Sequence, residues 1–163
     1  MKKVVKFGGS SLASAEQFRK VSEIIHADKD RRYVVPSAPD KRGSKDTKVT
    51  DMLYDCYSAA GDAEALTKKM AAIQARYQEI IDGLGLELSL DEQFKEIRER
   101  FEQHAGSDYA ASRGEYLNGI VLAAYLEYDF IDAAEVICFD EDGVFDAEKT
   151  DEKMRARLEE TER

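Results

Sequence analysis

Lys6 closes a short apolar run, Val4 to Phe7, and is followed at once by Gly8, Gly9, Ser10 and Ser11. Glycines let backbone amides approach an anion with no Cβ in the way, and they tolerate positive φ at little steric cost. Consecutive amides then form an anion-binding concavity, and the start of a following helix adds its partial positive charge. A lysine at the carboxyl end of a parallel strand can bridge phosphate oxygens and stabilise charge on a transferred phosphoryl group. These are the parts of a phosphate cradle. The same residues also suit a tight strand-to-helix turn with a snorkelling lysine, and spacing alone leaves both open. The stretch is not a Walker A loop, and it lacks the third glycine of a dinucleotide fingerprint.

The elements that must position this turn are legible around it. Val4–Phe7 predicts a short buried strand. Ser14 and Gln17 have capping-box spacing, and Phe18, Val21, Ile24 and Ile25 form one apolar helical face ending near Asp28. "RYVVPSAP" predicts a second strand, cut off by Pro36 and Pro39. Strand, helix, strand is the unit of a parallel sheet. Asp40–Lys48 has no apolar member and predicts a mobile, functional loop.

Four helices are expected next: Val49–Ala60, Ala63 to about Ile81, Ser89 (with Glu92 at capping-box spacing) to about His104, and Ser107 to Tyr128. The last is apolar over several faces and predicts deep burial. "DFIDAAEVICF" predicts a short strand and turn, "DEDGVFDAEK" a loop, and residues 150–163 a charged helix with only Met154 and Leu158 facing a core.

At 163 residues the chain has the length of one domain with a hydrophobic core. Its formal net charge of −10 argues against nucleic acid as a partner, which demands basic patches. No apolar run approaches the ~18 residues of a membrane span. Cys56 and Cys138 have no metal spacing and, with no secretory signal in view, read as reduced cytosolic thiols. His26 and His104 fit helix C-termini. Asp140, Glu141 and Asp142 before Gly143 read as an acidic turn, because the spacing is wrong for an EF-hand.

"VVKFGGSSL" resembles the opening signature of the aspartate kinases, in the amino acid kinase superfamily. "YVVPSAP", "VTDMLY" and "SRGEYLNG" follow in the order of that family's further motifs. The resemblance implies a three-layer αβα fold with a mostly parallel sheet, and a helical subdomain over about 49–128. It implies that Lys6 contacts the ATP phosphates and assists transfer, while Gly8, Gly9 and Ser10 line the phosphate loop. Ser37 and Thr50 would contact L-aspartate, and Glu115 would meet its ammonium. Without the family, Glu115 reads as an ordinary exposed helix residue and Thr50 as a helix cap.

The implied reaction is Mg²⁺- and ATP-dependent phosphorylation of the aspartate side chain, toward lysine, threonine and methionine, in a cytoplasmic homo-oligomer. The family's later motifs, including a Gly-Arg-Gly-Gly-Ser-Asp loop, and its ACT domains are not found in the sequence. "GSDY" at 106–109 reads instead as a helix start capped by Ser107 or Asp108. The expectation is therefore the N-terminal, substrate-binding part of the catalytic domain over 1–163, inactive alone. The alternatives are a kinase of another small acid, or a non-catalytic module binding aspartate or a partner.

Overall fold

β-Branched residues and a helix on one side dictate the first unit. In the computed structural model, which describes residues 1–161, β1 (Lys3–Phe7) and β2 (Arg31–Pro36) pair in parallel, with Val5 opposite Val34 and Phe7 opposite Pro36. The crossover between them is a single 3-10 turn (Gly9–Leu12) and α1 (Ala15–His26). Ser14 accepts from the Gln17 amide and starts α1, as its spacing predicts. Phe18, Val21 and Ile25 are buried on the helix face the periodicity marks, but Ile24, expected on that face, is 48% exposed.

One expectation about β1 is overturned. The strand is not buried: Val4 is 68% exposed, and Lys6 is exposed as well. Val4 and Lys6 share one face of β1, and among the described residues that face has no layer over it.

The helical part is α2 (Val49–Ser58), α3 (Ala63–Leu84), α4 (Asp91–Glu102) and α5 (Ser107–Leu126). α3 runs past the expected stop at Ile81. Gly83 stays helical because it packs on α1, where an added Cβ would lie 2.7 Å from that of Ala15. The stop comes at Gly85, left-handed at φ 69°, with the Leu86 amide donating to the Ile81 carbonyl. This is a Schellman end. α4 ends the same way with a histidine: His104 takes φ 57°, and the Ala105 amide donates to the Arg100 carbonyl.

Three caps differ from expectation. Leu90 rather than Ser89 precedes α4, so Glu92 completes no capping box; Ser89 instead accepts from the Asp91 amide. Lys48 precedes α2 and offers no side-chain cap, so Thr50 lies inside the first turn. Ser107 and Asp108 are likewise within α5, whose first turn begins on the carbonyl of Gly106, at φ 99°.

α5 is buried on several sides, as its composition demands. Tyr57, Phe101 and Tyr109 make edge-to-face contacts beneath it, with ring centroids 5.4 and 6.3 Å apart. The wholly buried Tyr77 of α3 donates to the Gly114 carbonyl of α5 at 2.8 Å.

Residues 127–163 form a separate unit. Its start is a helical turn, α6 (Ala133–Val136), rather than the expected strand, because Asp132 accepts from the Ala134 amide and nucleates it. Strand character is limited to one bridge between Phe139 and Phe145. Asp140 closes the acidic turn between them by accepting from the Asp142 and Val144 amides. α7 (Ala147–Glu160) starts earlier than expected, capped by Asp146. The last two residues of the expected helix lie outside the described residues. Among those described, no helix is long and apolar enough to cross a membrane.

Gly114 allows α5 to approach β2 and α2, since a Cβ there would meet that of Ala38 at 2.6 Å and Leu53 Cδ1 at 3.4 Å. Gly114→Ala should destabilise the protein by about 1–3 kcal/mol through overpacking, net of the ~1 kcal/mol that alanine gains in a helix. Urea unfolding measures it, and an unchanged or raised midpoint would show that α5 has room to move.

Candidate phosphate and substrate site

The chemistry-bearing residues meet at the carboxyl end of the two strands. The Ser37 amide donates to the Phe7 carbonyl at 3.0 Å, extending the parallel ladder by one bond. The chain from β1 then turns through Gly8 and Gly9 against the chain from β2. The Asp40 amide donates to the Gly9 carbonyl at 3.1 Å. A Cβ on Gly9 would lie 2.5 Å from the Ala38 carbonyl oxygen and 3.1 Å from the Asp40 nitrogen. A bare backbone is thus obligatory at Gly9, for close approach. Positive φ is not the reason: the left-handed glycines are Gly85, Gly106 and Gly143, and Gly8 is extended at φ −73°. Around Gly8 the space is open, with nothing within 4 Å of an added Cβ. Ser10 is exposed, and the Ser11 amide closes the turn on the Gly8 carbonyl at 3.0 Å.

Lys6 is exposed at the end of β1, opposite Val35. It has no ion-pair partner among the described residues, so its charge faces solvent beside the glycine turn. Lys41, Lys45 and Lys48 of the following loop are also exposed.

On the other side, α5 grips a single peptide unit. Glu115 Oε1 accepts from the Ala38 amide at 3.2 Å, and Asn118 Nδ2 donates to the Ser37 carbonyl at 2.7 Å. Three residues apart, the two side chains share a helix face. They hold both ends of the peptide between Ser37 and Ala38. Asn118 is fully buried, and its Oδ1 has no partner among the described residues. The spacing of Glu115 and Asn118 was the available sequence signal, but an asparagine inside an apolar helix does not announce a partner distant in sequence.

Thr50 comes to the same place through its neighbour. The Val49 amide donates to the Pro39 carbonyl at 3.1 Å, anchoring the first turn of α2 against the strand exit. The structure therefore brings Gly8, Gly9, Ser10, Ser37, Thr50 and Glu115 around one stretch of backbone, Ser37–Asp40, with Lys6 at its edge.

The polar loop 41–48 is tied down rather than loose. Asp46 accepts from Arg42 at its amide (2.9 Å), Nε (2.7 Å) and Nη2 (3.0 Å), and Arg42 also pairs with Glu79 of α3. These bonds, led by the Arg42 guanidinium, hold the Asp46 carboxyl well below the usual carboxylate range. The buried Arg76 of α3 donates to both the Ala13 and Asp40 carbonyls, at 2.8 and 2.9 Å. Nothing in the sequence marked it, because an arginine among charged helix residues reads as solvated. Burial first, and then the carboxylate of Glu115, push the Tyr77 hydroxyl well above its ordinary value, so it stays a donor. No cluster of metal-ligating side chains occurs among the described residues.

The signature of the Amino acid kinase family matches residues 1–161. The chain belongs to this family. It is 39% identical to aspartokinase 3 of Bacillus subtilis over 82% of its own length and 31% of the relative's. With the aspartokinase of Chlamydia trachomatis the identity is 33%, over 75% of this chain and 27% of that one. The crystal structure of Clostridium acetobutylicum aspartate kinase superimposes with a TM-score of 0.91 at 46% identity, over 99% of this chain and 37% of that one. Escherichia coli aspartokinase III, solved with aspartate and ADP, shares the fold at TM-score 0.76 and 20% identity. The chain thus spans about a third of the length of the relatives it matches, and the truncated αβα architecture is that of the amino acid kinase fold.

Asp46 supplies a pH test. Its folded pKa lies below the unfolded value of about 3.9, so its contribution to stability is present at neutral pH and is lost as pH falls below about 4. The gap in urea midpoint between the native protein and Asp46→Asn should therefore narrow from pH 7 to pH 3. A gap that stays constant would remove Asp46 from the loop's energetics.

Proposed function

We propose that this chain is the N-terminal, substrate-binding part of an aspartate kinase catalytic domain, in an enzyme that phosphorylates the side-chain carboxylate of L-aspartate with ATP. One observation carries the reading. Gly9, on the phosphate side, and Glu115, on the substrate side, both contact the backbone of Ala38. Two sites built on one residue bring two anions together, which is the central difficulty of a carboxylate kinase.

The roles divide by chemistry. The turn at Gly8, Gly9 and Ser10 starts a helical segment whose first amides have no intrahelical partner and suit phosphate oxygens. Gly8 leaves open space for the nucleotide to approach, and Gly9 seats the turn on Ala38. Lys6 offsets repulsion between the γ-phosphate and the incoming carboxylate, and stabilises the charge of the transferring group. Glu115 uses one oxygen to hold the Ala38 amide and leaves the other for the substrate ammonium. The hydroxyls of Ser37 and Thr50 complete the aspartate side.

The attacking carboxylate oxygen bonds to the γ-phosphorus as the bond to the β–γ bridging oxygen breaks. The products are 4-phospho-L-aspartate and ADP. Mg²⁺ bound to the nucleotide would neutralise phosphate charge, and the exposed Lys6 beside the open space at Gly8 leaves room for that complex. The product feeds lysine, threonine and methionine synthesis, in a cytoplasmic enzyme that acts as a homo-oligomer. Residues 1–163 alone bind but do not turn over.

Amide NMR of the labelled chain tests both halves of the site. Mg·ATP should shift Gly8, Gly9 and Ser10, and Lys6→Ala should abolish the effect. L-Aspartate should shift Ser37 and Ala38 and weaken about tenfold or more in Glu115→Gln, the scale of a lost bond to a charged group. The absence of any response at millimolar ligand would show that this part holds no working site by itself.

A further inference from the structure

We propose that Arg76 is a positioning residue whose buried guanidinium fixes the phosphate-side turn and the substrate-side strand exit in one register; this rests on the aspartate kinase reading of those two segments. The geometry is specific. One nitrogen, Nη2, donates to the carbonyl of Ala13, directly after the 3-10 turn, and to the carbonyl of Asp40, three residues beyond Ser37. The same nitrogen lies 3.7 Å from Asp46 Oδ2, which brings in the loop that leads to Thr50.

Stability alone gives this arrangement little purpose. Arg76 is 4% exposed, and its Nε and Nη1 have no partner among the described residues. A buried cation so incompletely paired costs desolvation. Burial lowers the Arg76 pKa, as does the neighbouring charge of Arg42, while Asp46, Glu79 and Tyr77 oppose that shift. The two segments also meet through the Ser37 amide on the Phe7 carbonyl and through Gly9 and its contacts with Ala38 and Asp40. The guanidinium is a further, stiffer tie between them, reaching from a helix outside both.

The decisive measurement needs no ligand. Amide hydrogen exchange of the whole chain should show the Asp40 and Ser11 amides exchanging roughly tenfold faster in Arg76→Met, the scale of one lost charge-assisted bond. Core amides of α3 and α5 should be unchanged. Arg76→Lys keeps a cation but loses the fork. It gives the same local pattern to a smaller extent, and serves if the methionine variant fails to fold.

Uniform acceleration through α3 and α5, or no change at Asp40 and Ser11, would overturn the proposal. A Mg·ATP titration adds a readout that a plain structural role leaves unmoved. In the native chain the shifts should spread from Gly8–Ser10 to Ser37 and Ala38, and in Arg76→Met they should stop at the turn. Spreading that survives in the variant counts against the tie. A native chain that does not respond to Mg·ATP refutes the phosphate site, and the exchange pattern still decides the role of Arg76.

Discussion

Four residues after β2, Ser37 to Asp40, are held almost wholly by their backbone. The Ser37 amide is bound by Phe7, its carbonyl by Asn118, the Ala38 amide by Glu115, the Pro39 carbonyl by Val49, and Asp40 by Gly9 and Arg76. Buried backbone groups must find partners, and the partners here come from β1, α2, α3, α5 and the glycine turn. Each element of the first unit that touches the site does so by satisfying this stretch. The helical part exists, in effect, to present Asn118, Glu115, Arg76 and the first turn of α2 at the end of two strands.

Close approach makes that possible. Gly9 and Gly114 lie on either side of Ala38, and neither position has space for a Cβ. A backbone sandwiched between two glycines leaves little freedom for the peptide between Ser37 and Ala38 to rotate. The Gly-Glu pair of α5 is then one device: the glycine brings the helix in, and the glutamate uses the nearness to reach the Ala38 amide. The Tyr77 hydroxyl on the Gly114 carbonyl fixes that helix from the far side.

What was legible in the sequence was local. The Ser14 cap, the apolar face of α1 apart from the exposed Ile24, the parallel pairing and the glycine turn depend on neighbours within a few residues, and they appear as expected. Gly114 and Glu115 were legible only through resemblance to a family. Asn118 and Arg76 were not, since their partners lie 81 residues away and 63 and 36 residues away. β1 misled for a different reason: alternation and β-branching say that residues form a strand, but not how many layers cover it. The glycines misled in detail, because the sequence signal for a turn is the same whether the need is positive φ or proximity. At His104 a Schellman end used a residue that sequence rules assign to an ordinary charged terminus.

A segment anchored through its main chain has a consequence for change over evolutionary time. The bonds that fix Ser37 are made by its main chain, and its side chain is only partly buried. A substitution at Ser37 changes the side chain presented at the surface while leaving these bonds in place. Variation of the surface is thereby separated from folding at this position.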